Sequence, residues 1–103
     1  MEQLNQILLE GAIADKKELT ILTDKNISIE FTLRNIRRSI NSEGETEVSA
    51  YDFPVVARGK MAKTLSKKRT GTIVRLVGTC ITIADKVVVE AEYIDYKPRF
   101  AAK

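Results

Sequence analysis

The stretch DFPVVARGKMAKTLSKKRTGTIVRLVG, residues 52–78, decides the fold of this chain. At its start, Phe53, Val55 and Ala57 alternate with the residues between them. This two-residue period is typical of a β-strand that buries one face. Gly59 then interrupts the alternation, and we expect the strand to end there.

After Gly59 the apolar residues adopt a helical spacing. Met61 and Leu65 are four positions apart and therefore share one face of a helix. Gly71 supplies the left-handed conformation that ends many helices. Residues 72–83 are rich in β-branched side chains, which favours a returning strand. The positions that share one side of this strand are Val74, Leu76, Gly78 and Cys80.

Positive charge is concentrated in the same part of the chain. Residues 53–84 contain no Asp or Glu, whereas the basic residues there are Arg58, Lys60, Lys63, Lys67, Lys68, Arg69 and Arg75. A solvated helix surface without a partner is one interpretation. We favour a surface for phosphate groups, because a field of one sign over a third of the chain attracts polyanions.

Composition limits the classes of function. The 103 residues carry a net charge of +3 and are expected to form one domain, residues 1–98, followed by a short basic tail, residues 99–103. Neither a spanning segment nor a secretory signal is visible, so we expect a cytoplasmic protein without a membrane partner. The chain has no His and one Cys, which excludes a His-based zinc site or triad and favours Cys80 as a buried apolar residue. Neither an enzyme nor a cofactor is expected.

Strand patterns continue on both sides of the central stretch. Residues 4–13 predict a first strand with a bend or bulge at Gly11, and residues 18–23 predict a short extended piece. The next strand is the clearest, with Ile27, Ile29, Phe31 and Leu33 on one side. It leads through a basic cluster into a loop at residues 41–47. Residues 87–96 form a last strand after a tight turn at residues 84–86.

The element order is therefore strand, strand, strand, helix, strand, strand. This order predicts an all-β OB-fold, in which five strands form a Greek-key barrel with one short helix between strands three and four. A β-sandwich or an SH3-like barrel is the structural alternative. Neither of these ordinarily places a helix at this point.

Several segments also resemble the bacterial single-stranded DNA-binding protein family. The matching segments are LNQILLEGAI at 4–13, FTLR at 31–34, FPVVARGKMAKTLSKKRTGTIVRLVG at 53–78 and VVVEAEYIDY at 87–96. The most specific positions are Asn5, Ile7, Leu9 and Gly11, followed by Val55, Val56, Gly59, Lys60, Ala62, Gly71 and Gly78. The resemblance implies a cytoplasmic OB-fold homo-oligomer, a tetramer or dimer, that binds single-stranded DNA in replication, repair or recombination.

The sequence departs from that family where bases are usually stacked. The chain has no Trp, and the positions that match the family's stacking aromatics are Ser39, Asp52, Arg58 and Asp85. This loss resembles the related primosomal replication protein, a shorter OB-fold dimer that relies more on basic residues. Replication or repair proteins are further candidate partners.

The predicted mechanism is non-catalytic binding of single-stranded DNA along a basic groove. The first candidates for DNA contacts are Arg34, Arg37, Arg38 and Arg58, and the next are Lys60, Lys63 and Arg75. Arginine is favoured because its planar guanidinium group can both neutralise a phosphate and stack on a base. The alternatives are a primosomal-type accessory protein and an assembly module that binds protein instead of nucleic acid.

Two further features remain open in the sequence. Tyr51, Phe53, Tyr93 and Tyr96 could each pack in a core or interface, or stack on a base. Leu8 is apolar on the face opposite Ile7 and Leu9, and a strand that is apolar on both faces usually has neighbours on both sides. We therefore expect a dimer or tetramer built around residues 3–10.

Overall fold

The computed structural model describes residues 3–23 and 25–97. In these residues the elements are β1 (Ile7–Lys16), β2 (Thr20–Thr23), β3 (Asn26–Ile40), β4 (Thr46–Arg58), α1 (Lys60–Ser66), β5 (Ile73–Ile83) and β6 (Lys86–Tyr96). The strand order is β1-β5-β6-β4-β3-β2, and an additional pairing of β1 with β3 closes a five-stranded barrel. The predicted OB-fold is confirmed. The predicted basic tail lies outside the described residues. No helix in the described ranges is long and apolar enough to cross a bilayer.

The helix lies between strands with different numbers from those predicted. The helix was expected between strands three and four, whereas α1 lies between β4 and β5. The reason is that residues 18–23, predicted only as an extended piece, include β2, which pairs with the start of β3 as a separate strand. Within the five strands of the barrel, α1 still follows the third.

Strand β1 serves two sides of the barrel. It pairs with β5 from Ile7 to Ala12 and with β3 from Ala12 to Lys16. The irregularity falls between Ile13 and Asp15 rather than at Gly11. Gly11 has a different role, since a Cβ atom there would overlap the carbonyl oxygen of Arg34 in β3. The glycine therefore allows the two backbones to cross closely.

The core follows the predicted alternation of β3. Ile27, Ile29, Phe31 and Leu33 are all buried, and Val74 and Leu76 of β5 meet them. Helix α1 adds Ala62 and Leu65, both fully buried. The Nζ atom of Lys16 donates hydrogen bonds to the carbonyl oxygens of Ser66, at 3.0 Å, and of Lys68. A cation at the carboxyl end of a helix is favourable, so β1 also holds α1 in place.

Strand β6 contains a bulge that the sequence pattern did not reveal. We expected Val87, Val89, Ala91 and Tyr93 to share one face. Ala91 pairs with Gly78, whereas Tyr93 pairs with Val77, so one extra residue intervenes. An extra residue reverses the alternation. Tyr93 consequently points outward, while Ile94 and Tyr96 pack against the core.

Candidate nucleic-acid interface

Strands β3 and β4 form a hairpin that extends well beyond the barrel. Their pairing is continuous from Ser28 opposite Arg58 to Ile40 opposite Thr46. Most side chains at residues 35–51 are exposed, and we call this outer part the ribbon. The ribbon ends in a turn fixed by Asn41, whose Oδ1 atom accepts hydrogen bonds from two backbone N–H groups at 2.9 Å each. The connection predicted as a loop at residues 41–47 is therefore a turn held by hydrogen bonds.

The register distributes the predicted arginines over both faces of the sheet. Successive residues of a strand point to opposite sides, and residues directly opposite each other share a side. Arg34, Arg38 and Arg58 consequently lie on the outward side, opposite Asp52, Val48 and Ser28, respectively. Arg37 lies on the other side, opposite Ser49. The structure thus brings three of the four leading candidates to one side and places the fourth on the reverse side.

Several predicted contact residues already have a carboxylate partner. The Nε and Nη2 atoms of Arg34 donate to the two oxygens of Asp52 at 2.8 and 3.0 Å. That hydrogen bonding, together with the guanidinium charge, holds the pKa of Asp52 below its ordinary value. Arg58 lies 2.6 Å from Glu90. A phosphate that binds at Arg34 or Arg58 must therefore compete with a carboxylate.

Arg75 lies on a different surface from the ribbon. It lies in β5, between Glu10 of β1 and Asp95 of β6. Its Nη2 atom is 3.7 Å from Glu10, and Lys97 approaches the same carboxylate oxygen at 2.5 Å. The hydrogen bond from Lys97 is the main reason that the pKa of Glu10 is lowered.

The remaining candidates lie on different elements, but none of them forms a salt bridge among the described residues. Lys60 and Lys63 are exposed on α1, which packs against β3 and β4. The salt bridges among the described residues include neither of these lysines, nor Arg37 or Arg38. Arg37 and Arg38 are thus exposed ribbon cations that are free of a described carboxylate partner.

A groove of about 330 Å³ runs along the outward side of the barrel. Its walls come from the end of β1, from β3 and β4, and from the turn between β5 and β6. The charged residues that line it are Asp15, Lys17, Glu30 and Lys86. Lys17 and Glu30 form a salt bridge at 3.2 Å. The sequence analysis did not name Lys17 or Lys86 as candidates, because the three walls of the groove come together only when the barrel closes.

The aromatic side chains divide into packed and exposed groups. Phe31 is buried, and Phe53 and Tyr96 pack against the core. The Nζ atom of Lys68 lies 4.6 Å from the centre of the Tyr96 ring, and burial raises the pKa of that phenol. Tyr51 and Tyr93 are 49% and 62% exposed. Among the described aromatics, these two have surface available for another molecule.

This barrel, with its projecting ribbon and outward groove, defines the chain as an OB-fold protein. No protein-family profile matches the sequence, and no curated protein matches it. Solved structures with the same fold include PriB of Ralstonia solanacearum, with a TM-score of 0.76 and 14% identity over 91% of this chain and 98% of that one. The fold resemblance thus extends to the primosomal type.

Single-stranded DNA-binding proteins share the fold equally well. A deletion variant of the Thermus aquaticus single-stranded DNA-binding protein has a TM-score of 0.76 and 18% identity over 92% of this chain and 51% of that one. The Plasmodium falciparum SSB, solved in complex with single-stranded DNA, has a TM-score of 0.72 and 17% identity over 95% of this chain and 98% of that one. The resemblance to SSB and PriB proteins is therefore confirmed at the level of the fold.

Proposed function

We propose that this protein is a non-catalytic single-stranded DNA-binding protein of DNA replication, repair or recombination. The observation that carries the proposal is the ribbon, which projects from the barrel and carries Arg37 and Arg38, neither of which forms a salt bridge with a described carboxylate. Exposed cations on a projecting hairpin suit a flexible polyanion, because they neutralise phosphates without first giving up another partner. The proposed contacts are Arg34, Arg37, Arg38 and Arg58, with Lys60, Lys63 and Arg75 as further phosphate contacts.

A protein-binding role is the second candidate, and a specific feature of the ribbon favours it. Ile36, Val48 and Ile40 lie on the same side of the ribbon and are 54%, 60% and 73% exposed. Contiguous exposed apolar surface often marks a protein contact. A primosomal-type accessory protein would combine both roles, and the fold likeness to PriB supports that alternative.

Titration of labelled oligo-dT by fluorescence anisotropy at low salt tests the proposal. We expect saturable binding. An unlabelled single strand should displace the labelled oligo-dT, and a duplex of the same length should displace it less well. An RNA oligomer as third competitor compares DNA with RNA. If oligo-dT does not bind at low salt, DNA binding is wrong and the protein-binding role takes its place.

Removing the Asp52 charge from its ion pair with Arg34 is predicted to tighten the binding of oligo-dT. Asp52→Asn keeps the size of the side chain but removes the charge that competes with phosphate. We expect the affinity for oligo-dT to rise, because the Arg34 guanidinium group no longer has to exchange a carboxylate for the phosphate. Thermal stability should change little, because exposed ion pairs contribute little.

The control for this prediction is Asp95→Asn, which makes the same change of net charge beside Arg75 in β6. We expect Asp95→Asn to have a smaller effect on binding than Asp52→Asn. Equal effects of the two variants would show that net charge, rather than release of Arg34, determines the affinity.

We also propose that the chain forms a homodimer or homotetramer around residues 3–10. Between Ile7 and Glu10, the edge of β1 that faces away from β5 pairs with no described strand. Leu8 is 68% exposed and lies in one row with Val77 and Tyr93 across β1, β5 and β6. A free strand edge beside an exposed apolar row suits pairing with a second copy.

Light scattering at micromolar concentration tests this assembly. We expect a dimer or tetramer for the unmodified chain and a smaller species for Leu8→Glu. Leu22→Glu is the matched control, because Leu22 is 71% exposed but lies on β2. A monomeric unmodified chain would rule out the assembly.

A further inference from the structure

The base of the ribbon carries an exposed aromatic ring in a fixed setting. Tyr51 of β4 lies directly opposite Asn35 of β3, on the side of the sheet that also carries Arg37. The Nδ2 atom of Asn35 donates a hydrogen bond of 2.8 Å to the carbonyl oxygen of Glu10 in β1. This bond ties the ribbon to the barrel beside Tyr51. The Tyr51 side chain is therefore held on a defined part of the surface and still leaves about half of its area open to solvent.

The other described aromatics are occupied elsewhere. Phe31, Phe53 and Tyr96 pack in or against the core. Tyr93 is exposed, but it lies in the apolar row with Leu8 and Val77 that we assign to assembly. Tyr51 is thus the described ring that combines exposure with a place on the basic ribbon.

A cation lies close to this ring. Arg37 is the diagonal cross-strand neighbour of Tyr51, because Asn35 pairs with Tyr51 and Arg37 pairs with Ser49. Diagonal neighbours in an antiparallel pair are roughly 7–8 Å apart, within reach of long side chains. Arg37 also has no salt bridge to a described carboxylate. A ring for a base and a free guanidinium group for its phosphate therefore lie side by side.

We propose that Tyr51 stacks on a base of the bound single strand and that Arg37 contacts an adjacent phosphate, on the side of the ribbon opposite Arg34 and Arg38. This inference rests on the proposed DNA-binding function and adds to it a defined subsite. The sequence pattern pointed instead to the outward side, where Asp52 and Arg58 replace the family's rings. The register moves the stacking position by one residue, and hence to the other side of the sheet.

The first test compares substitutions that separate stacking from charge. Tyr51→Ala is expected to lower the affinity for oligo-dT by about 5- to 150-fold without changing the salt slope, since stacking contributes ~1–3 kcal/mol per base and is no phosphate contact. Tyr51→Phe is expected to retain the affinity, because the ring is kept. Arg37→Ala is expected to reduce the salt slope by about 0.7.

The second test uses the absence of tryptophan from the chain. Tyr51→Trp introduces a single Trp, whose fluorescence is expected to be quenched as oligo-dT saturates the protein. Tyr93→Trp is the matched control at an exposed tyrosine outside the ribbon, and its quenching is expected to be much weaker. Arg37→Ala in the Tyr51→Trp background is expected to weaken the quenching more than Arg38→Ala, which removes the same charge from the other side.

The outcomes separate this subsite from the proposed function. Binding of oligo-dT that is unaffected by Tyr51→Ala, with no quenching of the Trp at position 51, would overturn the subsite while DNA binding stands. Equal quenching at positions 51 and 93 would also overturn it. If neither the unmodified chain nor any variant binds oligo-dT, the proposed function itself is wrong.

Discussion

Replacing Phe31 by alanine is expected to lower the free energy of unfolding by roughly 3–5 kcal/mol, the usual cost of deleting a packed aromatic side chain. Phe31 is 3% exposed and lies in the middle of β3, between Ile29 and Leu33 on the same side. It also lies opposite Val55 of β4, which is equally buried. Because strands on both sides hold these neighbours in place, the cavity left by the substitution can collapse only in part.

Urea denaturation measures this effect. We expect the midpoint to fall strongly with an unchanged slope, because the surface exposed on unfolding remains nearly the same. Ile40→Ala is the matched control, since Ile40 belongs to the same strand but is 73% exposed at the end of the ribbon. A midpoint that Phe31→Ala leaves unaltered would mean that the inward side of β3 has been assigned to the wrong residues.

The elements that the sequence predicted well are those with local patterns. The alternation of Ile27, Ile29, Phe31 and Leu33 identifies the buried side of β3 because one strand contains the whole signal. The change of period after Gly59 locates α1 for the same reason. The tight turn before β6 is also local, and Ala84 and Asp85 adopt the positive φ angles of 51° and 67° that two-residue hairpins require.

Features that depend on pairing between strands far apart in the sequence could not be predicted from local patterns. The bulge in β6 depends on how Ala91 and Tyr93 pair with β5, and nothing in residues 87–96 signals the extra residue. The ion pair between Arg58 and Glu90 joins residues 32 positions apart, across the parallel contact of β4 with β6. The basic residues could be named from the sequence, but their carboxylate partners could not.

Which residues share a side of the ribbon could have been predicted from the sequence, although the sequence analysis did not do so. Strand alternation alone puts the adjacent residues Arg37 and Arg38 on opposite sides, and the antiparallel register follows once the turn is placed near residues 41–45. The sequence analysis grouped the arginines by proximity along the chain and so missed this division. The two-residue period of β3 would have separated them, and counting the register from the turn would have placed Tyr51 beside Arg37.

The affinity for single-stranded DNA is expected to fall steeply with salt. Phosphate contacts on single strands contribute a slope of about −0.7 each in a plot of log affinity against log salt. If Arg34, Arg37, Arg38 and Arg58 each contact one phosphate, the slope is about −2.8, and a fourfold increase in salt weakens binding about 50-fold. One stacking tyrosine adds affinity at every salt concentration but does not alter this slope.

Arg58→Ala should weaken binding further and reduce the slope by about 0.7. The substitution removes a cation and also leaves the Glu90 carboxylate, now without the partner 2.6 Å away, facing the bound strand. The matched control is Arg69→Ala, because Arg69 is exposed in the turn after α1 and lies outside the β3–β4 hairpin.

The double variant Arg37→Ala with Arg58→Ala removes one cation from each side of the sheet and completes the test. We expect its slope to be shallower than that of either single variant, since the two positions share no partner and their effects should add. A tight complex that resists salt would contradict this expectation, because stacking on surfaces beyond Tyr51 would then have to dominate. Undiminished binding by the double variant would show that neither Arg37 nor Arg58 contacts the DNA and would move the interface to the other candidates.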